Sequence, residues 1–267
     1  MTDILLALDA VRDTHPRLVA DLIFPANGAE SGRPLIMCLP GGWWHQVHRA
    51  TLHPLCICLA ERGWPCAAIG LRRLQDVPGR DGREIVSDVV ALVRKIRDES
   101  LMYDTQERPF VLLGHESGAT LAMLAGRSDR LLAAGLSGVI GISGLYNLGD
   151  LARLDPEIRN QAELFCKADP SRLDPNRLQA ADVQRTLFIH GADDQKIPAK
   201  PVDVLTQRLK TEGAEVTSKI LPGAGHRLLD DPRSGAGVQV IDAIASWLMP
   251  KAEDDDVFVG EPNFLRR

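Results

Sequence analysis

A strand-like run that enters a tight turn holds the residue with the clearest chemical potential in the sequence. Residues 110 to 121 read Phe-Val-Leu-Leu-Gly-His-Glu-Ser-Gly-Ala-Thr-Leu, an apolar run followed by a turn that opens a helix. Glycines at 114 and 118 fit the strained bend that presents a nucleophile above a sheet in the pattern Gly-x-Ser-x-Gly. In this register the nucleophile position holds a carboxylate, Glu116.

Ser117 offers an alternative nucleophile one residue later. That register places His115 and Ala119 where the turn prefers glycines, so steric crowding disfavours it without forbidding it. We therefore predict that Glu116 faces the site, and the assignment to Ser117 stays open as the alternative.

A glycine pair after a buried strand predicts a set of backbone hydrogen-bond donors. Residues 39 to 44 read Leu-Pro-Gly-Gly-Trp-Trp. We predict that the amides of Gly42, Trp43 and Ser117 form an oxyanion hole, in which each donor typically contributes about 3 to 4 kcal/mol. A loop without a catalytic role is equally consistent with this feature taken alone.

Two later turns supply a carboxylate and an imidazole in the chain order of an acid and a base. Residues 190 to 194 read His-Gly-Ala-Asp-Asp, and residues 222 to 226 read Pro-Gly-Ala-Gly-His. Asp194, in preference to Asp193, is predicted to bind His226 and fix its tautomer. The other ring nitrogen would then face the bend at residue 116. Each motif alone is common in loops, but the ordered set favours a catalytic site.

The elements that must position these turns alternate between strand and helix patterns. Apolar strand-like runs lie at 18–24, 35–39, 66–70, 110–113, 139–142 and 187–189, and helical apolar faces lie at 85–96 and 240–248. This alternation predicts an α/β fold with a mostly parallel, doubly wound sheet and helices on both faces. We predict one domain over residues 1–250, with a short cap inserted at about 147–183, and a C-terminal tail at 251–267.

Composition argues against several classes of function. The chain has 267 residues, a net charge of −5 and scattered basic residues, so a nucleic-acid partner is not expected. It lacks an apolar run of membrane-spanning length and a secretory-signal pattern. The chain has five cysteines, an odd number, and most of them lie in core-like segments. This usage indicates a reducing, cytoplasmic setting. We expect a small-molecule substrate, no cofactor, and a monomer or homodimer.

Together these motifs resemble those of the α/β-hydrolase superfamily, and within it the small esterases that include bacterial kynurenine formamidases. The resemblance covers about residues 18 to 249 and depends on the segments at 40–44, 114–118, 143–148, 190–194 and 222–226. Two positions depart from the family. Pro40 stands where its oxyanion motif has a histidine, and Glu116 stands where it has the serine nucleophile.

The resemblance implies a hydrolase that cleaves a small ester or amide, with Glu116, Asp194 and His226 as catalytic residues. The residues expected to contact substrate are Gly41, Trp44, His45, His115 and Tyr146. A packing role fits Trp44 equally well. No metal site is predicted, because His45, His48 and His53 lack a matching acidic or cysteine cluster.

A carboxylate at the nucleophile position leaves three mechanisms open, because it is already ionised and cannot be activated as serine is. Glu116 could form a covalent intermediate that His226 then helps water to hydrolyse, as in the aspartate-nucleophile epoxide hydrolases and haloalkane dehalogenases. It could instead act as a general acid or base. It could also pair with His226 in an inactive protein that binds a ligand or partner.

Overall fold

The computed structural model of the chain describes residues 5–8, 15–99, 108–152 and 154–249. The predicted tail at 251–267 lies outside the described residues. Within the described ranges, no helix combines the length and the apolar character needed to cross a membrane.

Eight strands in the described part of the chain form a single sheet. They are β1 (Leu5–Leu8), β2 (Ala20–Ile23), β3 (Leu35–Leu39), β4 (Cys66–Ile69), β5 (Phe110–His115), β6 (Leu136–Ile142), β7 (Thr186–Gly191) and β8 (Val216–Leu221). Their order across the sheet is β1-β2-β4-β3-β5-β6-β7-β8. The pairs β1/β2 and β2/β4 are antiparallel and all other pairs are parallel, so the predicted mostly parallel sheet is confirmed.

Helices cover both faces of the sheet, as predicted. They are α1 (His53–Glu61), α2 (Gly82–Glu99), α3 (Ser117–Gly126), α4 (Asp129–Ala133), α5 (Pro156–Cys166), α6 (Lys200–Thr211) and α7 (Gly235–Leu248). The apolar residues of α1 and α7 pack in one core, and those of α2 and α3 in the other. Side chains of β3 alternate between the two cores, because successive residues of a strand point to opposite faces.

The segment predicted as a cap lies between β6 and β7 and contains the helix α5. Asp155 accepts a hydrogen bond from the Glu157 amide and so caps the start of this helix. Phe165, near its end, is fully buried and stacks on Trp44 with ring centroids 4.4 Å apart. The helix therefore packs against the loop that follows β3. The extent of the domain, residues 1–250, remains a prediction.

Candidate active site

The bend between β5 and α3 holds Glu116 in a left-handed backbone conformation, with φ 48° and ψ −119°. The flanking glycines are sterically required. A Cβ atom at Gly114 would lie 2.2 Å from the carbonyl oxygen of Gly118, and one at Gly118 would lie 2.2 Å from that of Leu39. This crowding explains the Gly-x-x-x-Gly register, and it projects the side chain of residue 116 from the carboxyl end of the sheet.

Three side chains form a continuous hydrogen-bonded row across the ends of β5, β7 and β8. The Oε1 atom of Glu116 lies 2.8 Å from Nε2 of His226, and Nδ1 of His226 lies 2.8 Å from Oδ2 of Asp194. The other oxygen of Asp194 accepts hydrogen bonds from the amides of Lys196 and Ile197, each 2.9 Å long. The structure thus brings together the three residues predicted as catalytic.

The second carboxylate oxygen of Glu116 binds one of the backbone amides that were predicted to form the oxyanion hole. Its Oε2 atom accepts a hydrogen bond from the Gly42 amide at 2.9 Å. A side chain at Gly41 would force the Glu116 side chain to move, because its Cβ would lie 2.6 Å from this oxygen. Both oxygens of the carboxylate are therefore anchored, one by an imidazole and one by a backbone amide.

Ser117 lies apart from this row. Its side chain is fully buried, and its hydroxyl accepts a hydrogen bond from the Trp44 amide at 3.3 Å. Both ring nitrogens of His226 are bonded to carboxylates, those of Glu116 and Asp194. The imidazole therefore has no nitrogen left to deprotonate Ser117, and the geometry does not support the alternative register.

The charges in the row stabilise one another. Burial alone would lower the pKa of His226, but its hydrogen bonds to Asp194 and Glu116 outweigh burial and raise the pKa from 6.5 to about 9. Burial acts to raise the pKa of Glu116, yet the hydrogen bond from His226 leaves it below its usual value. Burial acts to raise the pKa of Asp194, but the nearby His190 and the hydrogen bond from His226 outweigh it and lower the pKa. At neutral pH the site is an imidazolium between two carboxylates.

His190 is a member of the site that the sequence interpretation missed. It is fully buried at the end of β7, and its Nε2 lies 2.9 Å from the carbonyl oxygen of Ile197 and 3.2 Å from Oδ2 of Asp194. It therefore helps to hold the carboxylate against His226. The available signal was its place four residues before Asp194 in the motif at 190 to 194.

Two residues predicted to contact substrate, Trp44 and Tyr146, are buried in the structure. The indole of Trp44 is fully buried against Phe165 because the loop backbone turns it into the core, with φ 60°. The ring of Tyr146 is also buried and packs on Phe188 at 4.6 Å between centroids. Its hydroxyl lies against the backbone of Gly141.

The remaining predicted residues surround His226 or lie near the cap. The indole of Trp43 stacks on the His226 imidazole, with centroids 5.6 Å apart and planes 16° apart. The His115 ring lies 6.4 Å from that of His226, and burial lowers its pKa, which favours the neutral form. His45 is partly exposed, with Nε2 3.9 Å from a carboxylate oxygen of Glu157 in α5.

The fold and these positions can be compared with known proteins. No protein-family model matches the sequence, and no curated protein sequence matches it. Solved structures of esterases are similar in fold. Esterase 2 from Thermogutta terrifontis phosphonylated by sarin gives a TM-score of 0.75 at 17% identity, covering 94% of this chain and 98% of that one. Esterase B from Lactobacillus rhamnosis (HN001) gives a TM-score of 0.76 at 17% identity, covering 90% and 83%. The chain therefore has the α/β-hydrolase fold.

Proposed function

We propose that this protein is a hydrolase that works through Glu116, His226 and Asp194, with Glu116 as the nucleophile and a small molecule as the substrate. The observation that carries the proposal is the double anchoring of the Glu116 carboxylate. One oxygen lies 2.8 Å from the His226 imidazole, and the other accepts the Gly42 amide at 2.9 Å. A carboxylate held in this way has one oxygen beside a proton donor and the other at a group that stabilises negative charge.

The first step is a displacement at carbon. The Oε1 atom of Glu116 forms a bond to the substrate carbon, and the leaving group departs with the bonding electrons. His226, protonated at neutral pH because its pKa is raised, donates the proton that the leaving group needs. The products of this step are a covalent ester on Glu116 and a neutral imidazole.

The second step hydrolyses this ester. Forming the ester removes the negative charge of Glu116, one of the two carboxylates that raise the pKa of His226, so the neutral imidazole can act as a base. It takes a proton from water, and the hydroxide attacks Cδ of Glu116. The Gly42 amide stabilises the oxyanion that forms at Oε2. Collapse releases the alcohol, protonated by His226, and proton transfer from Glu116 restores the imidazolium.

The substrate class follows from where a carboxylate can attack productively. The resemblance to small esterases favours an ester or amide. Attack on a carbonyl carbon, however, would give a tetrahedral intermediate from which the Glu116 carboxylate leaves more readily than an alkoxide or amine, so this intermediate would revert to substrate. The substrate carbonyl would also have to displace Oε2 from the Gly42 amide. Attack on a saturated carbon avoids both problems. We therefore favour a small neutral epoxide, whose oxygen takes the proton from His226 as the ring opens, with ester or amide cleavage by directly activated water as the alternative.

Isotope labelling distinguishes these mechanisms. Wild-type protein in excess over substrate would be incubated in H₂¹⁸O with short epoxides, bromoalkanes, nitrophenyl esters and N-formyl aromatic amines. With covalent catalysis on an epoxide or a bromoalkane, the new hydroxyl oxygen of the first-turnover product comes from the carboxylate, so the product is unlabelled and the peptide containing Glu116 gains ¹⁸O. Mass spectrometry measures both. Label in the first-turnover product with an unlabelled peptide would instead assign Glu116 as a general base.

A catalytically inactive ligand-binding protein is the second candidate, and a specific observation favours it. Glu116 already satisfies both Nε2 of His226 and the Gly42 amide, so no polar group of the row is free for a substrate. If the protein is a hydrolase that has lost its activity, Glu116→Ser is expected to cleave nitrophenyl esters at least about 10²-fold faster than wild type. Wild type would then be inert towards the whole panel. Turnover of any of these substrates by wild type would contradict this candidate.

A further inference from the structure

Three buried thiols from three different elements meet on one face of the sheet. Cys38 in β3, Cys66 in β4 and Cys56 in α1 are each fully buried, and their Sγ atoms all lie within 4.8 Å of one another. In the parallel pairing of β3 with β4, Ile36 lies opposite Cys66 and Ala68 lies opposite Cys38. The two strand cysteines therefore lie diagonally on the same face, under the helix that carries the third.

The surroundings of this three-thiol group are apolar. It lies in the core that α1 and α7 cover, among residues that include Ile36, Leu52, Leu55 and Leu59. The thiols are free of disulfides, and those of Cys38 and Cys66 donate to the backbone carbonyl oxygens of Ile36 and Trp64 at 3.7 and 3.6 Å. The neighbouring thiols of Cys38 and Cys66 lower the pKa of Cys56, so one thiol of the group ionises more readily than the others.

The spacing of the sulfurs suits a single central atom. Three points no more than 4.8 Å apart leave a centre within about 2.8 Å of each, which is 4.8 Å divided by √3. Bonds from sulfur to a thiophilic atom such as zinc are about 2.3 Å long, so a contraction of roughly half an ångström per sulfur is enough. Among the described residues, no histidine, carboxylate or fourth cysteine completes the group.

Charge then selects the kind of atom. A zinc ion with three thiolates carries a net charge of −1 and favours a fourth ligand, and a copper(I) ion with three thiolates carries −2. Burying an unpaired charge in an apolar core costs several kcal/mol. Trivalent arsenic forms three covalent bonds to sulfur and gives a neutral product with three ligands. This product matches both the number of thiols and the apolar surroundings.

We propose that Cys38, Cys56 and Cys66 form a binding site for trivalent arsenic, taken up as arsenite. Arsenous acid, As(OH)₃, reacts with the three thiols to form three As–S bonds and release three molecules of water. Arsenic stays in the trivalent state, so no oxidant or reductant is needed. The site lies in the core beneath α1, and it is independent of the proposed hydrolase activity.

The test is mass spectrometry of the intact, folded protein after refolding from urea with and without sodium arsenite, because refolding removes any barrier to entry into the core. Wild type is expected to gain one arsenic and lose three protons, and to unfold at a higher temperature. Cys56→Ala leaves two thiols, so it should bind at least about tenfold more weakly and retain a hydroxyl on arsenic. Cys58→Ala, at a cysteine outside the group, is the matched control and should behave as wild type.

Three results would overturn the proposal. The first is refolded wild type that carries no arsenic at saturating arsenite. The second is equal binding by Cys56→Ala and wild type in folded samples of matched circular dichroism. The third is zinc that displaces arsenite in direct competition, which would assign the thiols to a divalent ion.

Discussion

Turnover is expected to fall by at least about 10⁴-fold in Glu116→Gln, with the fold retained. The amide has nearly the size of the carboxylate, and its oxygen can still accept the Gly42 amide hydrogen bond. A neutral amide is nevertheless a poor nucleophile and cannot form the ester intermediate. The substitution also removes one of the two carboxylates that raise the pKa of His226, so fewer molecules carry the proton for the leaving group. Steady-state rates on the best substrate of the panel measure the loss.

Ser117→Ala is the matched control for this prediction. The Ser117 hydroxyl is buried and accepts only the Trp44 amide at 3.3 Å, so its removal should leave turnover within about threefold of wild type. The free energy of unfolding should fall by about 1 kcal/mol, because one buried donor loses its partner. The opposite pattern, with an active Glu116→Gln and an inactive Ser117→Ala, would instead assign Ser117 as the nucleophile.

The fold could be predicted from the sequence because its signals are local. The strand β3 begins and ends where the apolar run at 35–39 does, since both of its faces are covered by core and every position is apolar. The bend at Glu116 was predictable for a similar reason. Neither Gly114 nor Gly118 has room for a Cβ atom, so the two glycines in the sequence directly indicate a tight bend at this position.

The direction in which side chains point was less predictable. Trp44 follows a glycine pair at a strand end, as a pocket residue would, but the positive φ of its loop turns the ring towards Phe165. The contact between Glu116 and the Gly42 amide joins residues 74 positions apart, and it depends on the length of the glutamate side chain. No periodic pattern in the sequence predicts such a contact.

The three-thiol group shows the same limit of sequence reasoning. Cysteine motifs are usually sought at short fixed spacings, and Cys56 and Cys58 have the wrong spacing for a zinc or redox motif. The thiols that do meet come from a strand, a helix and a neighbouring strand. Only the strand pairing and the docking of α1 bring them together.

The stability of the protein is expected to fall between about pH 6.5 and pH 9, because of the charged row at the active site. The pKa of His226 is about 9 in the folded state and 6.5 in its ordinary state, so the protonated imidazole stabilises the fold fully below pH 6.5. That contribution is lost as the pH rises through 9. A shift of about 2.5 units corresponds to a loss on the order of 3 kcal/mol. Urea denaturation at a series of pH values measures it.

The carboxylates of Glu116 and Asp194 set the acidic limit of the pH range in which the folded protein is most stable. The pKa values of Glu116 and Asp194 are lowered in the folded state, so their contribution is present above their ordinary values near 4 and is lost as the pH falls. Stability should therefore be highest between about pH 5 and pH 6.5. His226→Gln is expected to remove most of the decline above pH 6.5, whereas His48→Gln, at an exposed histidine, should preserve it. An equal decline in His226→Gln would show that the row does not control it.

The pH range of this stability bears on the proposed chemistry. His226 is an effective proton donor to the leaving group only while it is protonated, and the same proton forms the ion pairs that stabilise the site. Activity is therefore expected to decline on the alkaline side with the same apparent pKa as stability, near 9 in the free protein. In a serine mechanism the dependence would have the opposite sign, because the imidazole must first be neutral to accept the hydroxyl proton. Whether activity falls or rises as the pH approaches 9 therefore distinguishes a carboxylate nucleophile from a serine nucleophile without any substitution.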